Sequence, residues 1–335
     1  METRSSGDHM RIFSTLLFCL LAIGSDAAES SALKLVQTIP LPGVKGRFDH
    51  FAVDAKKGRV FAAALGNNTL EVFDVNGSER LKSVGGLNKP AGVVFLPEPN
   101  QIGVANARDG TFKLFDAVSY QLLNSLGSLD DADNLRRDPE TKLIYLGYGD
   151  GGLAVLDSGG RNKLADIKLS AHPEAFQLEA KGPRIFVNVP HAKQVAVVDR
   201  EKRTVTANWP MEASQANYTM ALDELNHRLF VGCRKPPRIV VVDTESGKSV
   251  TDFEISGDTD DLFFDAKRGR IYVSCGEGFL DIIQRRDGDH YERIAHQPTR
   301  AGARTCFYSP DLDRLFLAVP QRDDQEAELR IYQPE

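Results

Sequence analysis

One short segment recurs seven times along this chain, and few folds accommodate such a pattern. Each copy is a polar residue or Leu followed by alternating apolar and small residues. The copies are Arg59-VFAAA, Gln101-IGVAN, Leu143-IYLGY, Arg184-IFVNV, Arg228-LFVGC, Arg270-IYVSC and Arg314-LFLAV, with starts 42, 42, 41, 44, 42 and 44 residues apart. The flanks repeat as well. Five residues before each start stand Asp54, Leu96, Asp138, Glu179, Asp223, Asp265 and Ser309. The residues between are turn formers, and an Asp there closes a hairpin by bonding its own backbone two residues on. Downstream, a third alternating run ends at Asp74, Asp116, Asp157, Asp199, Asp243, Gln284 and Gln333, and a weaker fourth run follows six of the seven.

Four short period-2 strands in about 42 residues is the blade of a β-propeller. The sequence therefore predicts an all-β, seven-bladed β-propeller of four-stranded antiparallel blades, forming a single domain over 28–335. The last unit ends after its third strand. The segment Leu33-KLVQTIPLP resembles a fourth strand, so residues 33–42 are expected to complete the last blade and remove its exposed edge.

The chain begins with an export pattern. Ile12–Ile23 is an apolar run too short to span a membrane, preceded by Arg11 and followed by small residues. Residues 1–27 read as a signal peptide cleaved after Ala27, which gives an exported product, periplasmic or secreted. The formal net charge is −6, so nucleic acid is not the expected partner. Cys233, Cys275 and Cys306 remain after cleavage, and in a propeller they read as small buried residues rather than a disulfide framework.

Aligning the units places one ring of residues at the opening of the inner strands: Asp49, Ala91, Asp133, Glu174, Tyr218, Asp260 and Arg304. His50 and Asp261 come next to it, Arg47, His172, Asp258 and Arg300 lie in the loops before it, and Asp150, His191 and Arg234 lie at the exits of the second strands. In a propeller these loops surround one mouth of the axial channel. The candidate ligand site is Asp49, His50, Asp133, His172, Glu174, Arg234, Asp260, Asp261, Arg300 and Arg304. Convergent charged groups in a funnel are costly unless they meet a partner. The arginines suit an anion. His50, His172 and the acids suit a divalent metal, but the two histidines belong to blades one and four, nearly opposite each other, so no compact metal site is expected. No GxSxG, Walker A, HExxH, CxxC or CxxCH pattern occurs, and no cofactor is expected.

The RIYVS and VVVD-x-x-SGK forms, with the segment Phe48-DHFAVDAKKGRVFAAALGNNTLEVFD, resemble the YVTN-type β-propeller repeat of YncE-like exported bacterial proteins. The strict YVTN tetrapeptide is absent, with RIYVSC and RLFVGC its nearest forms. The resemblance covers 33–335 and implies the propeller fold; it carries no catalytic residue across. The expected function is a ligand- or protein-binding scaffold module of the cell envelope, its partner a small molecule or an envelope protein. The alternative is a lactonase-like hydrolase using His50 or His172 as general base.

Overall fold

The computed structural model of the chain describes residues 1–3 and 32–335. Apart from its first three residues, the segment read as a signal peptide lies outside the described residues. Among those described, no helix is long and apolar enough to cross a membrane.

Seven four-stranded antiparallel sheets follow one another along the chain, six of them built from consecutive strands. Blades one to six occupy residues 51–84, 90–126, 135–168, 176–210, 215–254 and 259–298. Blade seven takes Thr305–Ser309, Arg314–Val319 and Ala327–Pro334, and its outer strand is Leu33–Leu41. The predicted closing strand is thus present, one residue shorter than expected.

Position in the blade explains the sequence pattern. Second strands are covered on both faces by neighbouring blades, so Arg59–Ala64 is buried at every residue. Outer strands have one face in solvent, and Thr204–Pro210 alternates between exposed and half-buried. The core is not a single mass. Seven apolar clusters form, each spanning the seam between two adjacent blades. The small-residue column of the second strands (Ala63, Ala105, Gly147, Asn188, Gly232, Ser274 and Ala318) lets the blades crowd together. Its polar member, Asn188, is fully buried; its amide donates to the Thr219 carbonyl at 3.1 Å, and its Oδ1 accepts from Asn217 at 2.8 Å.

The repeated acid before the second strand does more than close a turn. Asp138 Oδ1 accepts the backbone N–H groups of Glu140 and Thr141, as the turn reading expects, and its Oδ2 lies 3.4 Å from Arg200 of the next blade. Asp223 meets Arg285 at 2.5 Å across the seam between blades five and six. Glu179 holds Arg184, which reaches on to the Thr244 carbonyl at 2.6 Å. These acids are therefore parts of charged rivets between blades.

A second regularity lies in the strand register. The register between third and fourth strands shifts in every blade, at Val72/Phe73, Leu114/Phe115, Val155/Leu156, Val197/Val198, Val241/Val242 and Ile282/Ile283, with a second shift at Arg285/Asp287 in blade six, and at Leu35/Gln37 in the closing strand. Such a bulge increases local twist, which each blade needs to fan outward.

Ring closure is reinforced at the chain end. The Glu335 N–H donates to the Ala32 carbonyl at 3.2 Å, and Arg270 of blade six donates to the carbonyls of both residues. Beside it, Arg268 clamps Asp313 through two bonds of 2.7 and 2.8 Å. The Arg268 guanidinium holds the Asp313 carboxyl down at about 2. A carboxyl depressed in the fold contributes stability above its unfolded value near pH 4, and that contribution is lost as pH falls through about 2. Asp313 is partly exposed, so solvent screening limits the effect to about 1 kcal/mol. Urea titrations should show Asp313→Asn less stable than the parent by that amount at pH 7, with the difference closing near pH 2; an equal gap at both pH values would refute the linkage.

Candidate functional site

The loops that open the inner strands converge on a cavity of about 700 Å³ at one end of the channel. Backbone bonds fix its floor. The Asp49 N–H donates to the Ala63 carbonyl at 2.8 Å, and the His50 N–H donates to Ala91 of the next blade at 3.2 Å. Gly92 matters here because a Cβ on it would stand 2.0 Å from the Asp133 carbonyl oxygen. Its missing side chain lets blade three's acid close in on blade one's histidine.

Eight of the ten residues expected at the site line this cavity: Asp49, His50, Asp133, His172, Glu174, Arg234, Asp260 and Arg304. Arg300 does not. Its guanidinium donates to the carbonyls of Pro320 and Glu326, because its side chain leaves the loop toward blade seven's second turn instead of the axis. Asp261 is displaced too. It follows Asp260 in an alternating strand, so it sits beneath the floor, lining a second cavity of about 350 Å³ further along the channel. His50 lines both cavities.

The cavity wall divides electrostatically. On one side Arg304 pairs with Asp258 at 2.8 Å and Asp260 at 3.0 Å, and Arg234 pairs with Asp260 and stacks over the Tyr218 ring at 4.2 Å. These cations are already matched, which leaves them little attraction for an anion. The other side carries Asp49, Asp131, Asp133, Asp150 and Glu174. Glu174 has no side-chain hydrogen bond or ion pair among the described residues.

The two histidines do meet a common group. Asp133 reaches both: its Oδ1 lies 3.9 Å from His50 Nε2, and its Oδ2 lies 4.0 Å from His172 Nε2. The blade separation that argues against their cooperation in sequence is bridged by this one side chain. His172 Nδ1 donates to the Gly149 carbonyl at 2.7 Å, which fixes its ring.

Titration behaviour follows the crowding. Burial pushes Asp49 up to about 7, against the opposing pull of His50. Burial, then the Asp133 charge, pushes Glu174 up to about 8. Burial would raise Asp133 as well, but the His172 and His50 rings beside it keep it below the usual carboxylate range. Burial would lower His172, but Asp133 and the Gly149 carbonyl raise it to about 9. Burial, then Asp260, holds Asp261 well above the ordinary value. The three described cysteines are free and buried, and burial pushes the Cys233 thiol up to about 12, so none offers a ready thiolate.

Fold and mouth together define a seven-bladed β-propeller with an acidic, histidine-bearing cavity at one channel end. Comparison with solved structures supports that architecture. The chain is similar to a chain of hydrazine synthase from Kuenenia stuttgartiensis, with a TM-score of 0.71 and 14% identity over 83% of this chain and 95% of that one. It is also similar to a chain in the crystal structure of a mitotic checkpoint complex, with a TM-score of 0.74 and 13% identity over 97% and 98% of the two chains. At such identities the likeness concerns the fold alone. No family model matches the chain, and no curated protein sequence matches it.

Proposed function

We propose that this protein is an exported, YncE-like β-propeller binding module that takes a small, positively charged ligand in the mouth cavity. The observation that carries the reading is the convergence of carboxylates and histidines from separate blades on one cavity, with the neighbouring arginines already neutralised. A rigid ring presenting a loop-built cavity is an arrangement suited to recognition. Hydrolysis with His172 as general base is less well supported, because a ring that keeps its proton to about pH 9 is a poor base at neutral pH. Export rests on the Ile12–Ile23 pattern, and the envelope is the compartment that follows from it.

The test is thermal denaturation of the EDTA-dialysed full-length chain with spermidine, arginine, citrate, inorganic phosphate or a γ-lactone. A ligand that binds only the folded state raises Tm by mass action, by a few degrees at ~100 times Kd. Above pH 8, where Glu174 gives up its proton, spermidine or arginine is expected to stabilise the parent and to lose that effect in Glu174→Ala. Stabilisation by citrate or phosphate alone, or a shift that survives Glu174→Ala, would move the ligand elsewhere.

A further inference from the structure

The floor of the cavity holds a more specific arrangement. Asp49, His50 and Asp133 each present one donor atom, and these three atoms lie within 4.8 Å of one another. His50 Nε2 is 3.7 Å from Asp49 Oδ1 and 3.9 Å from Asp133 Oδ1. Both gaps are too long for a hydrogen bond. Three atoms so spaced surround a point no more than about 2.8 Å from each, so movements below ~1 Å reach the 2.0–2.2 Å bonds of a divalent transition cation.

What sets this trio apart from an ordinary acidic cluster is the other atom of each side chain. Asp49 Oδ2 accepts from Arg47 Nη2 at 3.1 Å. Asp133 Oδ2 faces His172 Nε2 at 4.0 Å, while His172 is itself anchored on the Gly149 carbonyl. His50 Nδ1 faces Asp261 Oδ1 at 3.9 Å, and Asp261 Oδ2 is tied to the Cys306 N–H at 2.9 Å. Asp49 is thus held by an outer hydrogen bond, while Asp133 and His50 face their outer partners at 3.9–4.0 Å, beyond hydrogen-bond distance but within a short side-chain movement of it. Metal ligands are oriented in this way, a ring histidine by a carboxylate behind it above all. The outer partners come from the loops before blades one and four and from blade six, so no local turn motif accounts for them.

We infer that Asp49, His50 and Asp133 bind one divalent first-row transition cation, with Arg47, His172 and Asp261 as outer-shell supports. The mixed imidazole and carboxylate set favours Zn²⁺ or Mn²⁺ over Mg²⁺ and Ca²⁺, which prefer all-oxygen shells. Three protein ligands leave a coordination position open toward the 700 Å³ cavity, where a second, organic ligand can join the ion. This inference deepens the binding reading given above and rests on it.

The experiment uses the full-length chain dialysed against EDTA and then against metal-free buffer. Calorimetric titration with Zn²⁺ and Mn²⁺, with Mg²⁺ and Ca²⁺ as comparisons, is expected to give one site per chain for the transition metals. Co²⁺ substitution should give a visible spectrum that reports imidazole and carboxylate coordination. Asp133→Ala and His50→Gln should each weaken binding at least ~100-fold, and Asp261→Asn by about 10–100-fold through the outer shell. Arg300→Ala, outside the cavity, should bind as the parent does. Circular dichroism of each variant separates lost binding from lost folding, and Asp261→Asn serves where an Ala variant unfolds. Absence of stoichiometric transition-metal binding, or binding unchanged in His50→Gln and Asp133→Ala, would overturn the inference. If metals fail while spermidine or arginine still stabilises the chain, only this inference falls; if all fail, the binding reading falls with it.

Discussion

Removal of residues 33–41 is expected to abolish the folded monomer. The strand places Leu33, Ile39 and Leu41 in the core at 1–2% exposure. Burying three such side chains contributes about 5–9 kcal/mol, a large part of the ~5–15 kcal/mol by which most domains are stable. Loss of the strand also uncovers the whole of Ala327–Pro334 as a sheet edge, a template for aggregation. Light scattering after size exclusion should show soluble aggregates or no recoverable monomer, and far-UV circular dichroism should show no cooperative melt. A peptide spanning 33–41 supplied in trans should restore part of the monomer by strand addition. A truncated chain that stays monomeric and melts with the parent would mean that closure adds nothing. A milder probe of the same seam is Leu41→Ala, which should cost about 2–5 kcal/mol.

Asp138→Ala is expected to be the most damaging single charge deletion. Asp138 is fully buried, and Arg200 beside it is nearly so. Removing the acid leaves the guanidinium between blades three and four, among the described residues, with only the Glu179 carbonyl, 2.9 Å away, and no paired acid. It also removes the acceptor of two turn N–H groups. Stripping one partner from a buried ion pair costs about 3–5 kcal/mol. Urea unfolding should report that loss as a lower midpoint with little change in slope. Asp138→Ala combined with Arg200→Met should recover part of it, since the stranded charge is then gone. A single-variant loss under about 1 kcal/mol would show that water reaches the pair and that the rivet reading is wrong.

Charged seams explain a difference between the repeat as read and as folded. In sequence, the acid at Asp54, Asp138, Glu179, Asp223 and Asp265 is a turn residue, and it does receive turn N–H groups at Asp138 and Asp265. The structure adds the partners: Arg200 and Arg285 each stand one residue past the end of a third alternating run and reach the acid of the preceding blade. Only two of the seven units carry Arg at that position, so the repeat shows no column of partners.

The site was legible to a similar depth. Alignment of the units identifies the ring that opens the inner strands, and eight of the ten residues chosen from it line one cavity. Arg300 was misplaced because a loop's position does not fix where a long side chain turns. Asp261, expected in the mouth, is sent behind His50 by strand alternation.

The sequence by itself determined the number of blades, the strands within each, the seam packing and the strand that closes the ring, because all of these follow from a regular period and from which faces are apolar. The tertiary structure alone decided which side chains meet across the channel. Asp133 can link His50 to His172 only because seven blades tilt around a shared axis and Gly92 leaves room between them. Distances between blades that are not neighbours depend on the tilt, twist and recurrent bulge of every sheet in the ring, and no local pattern of residues encodes their sum.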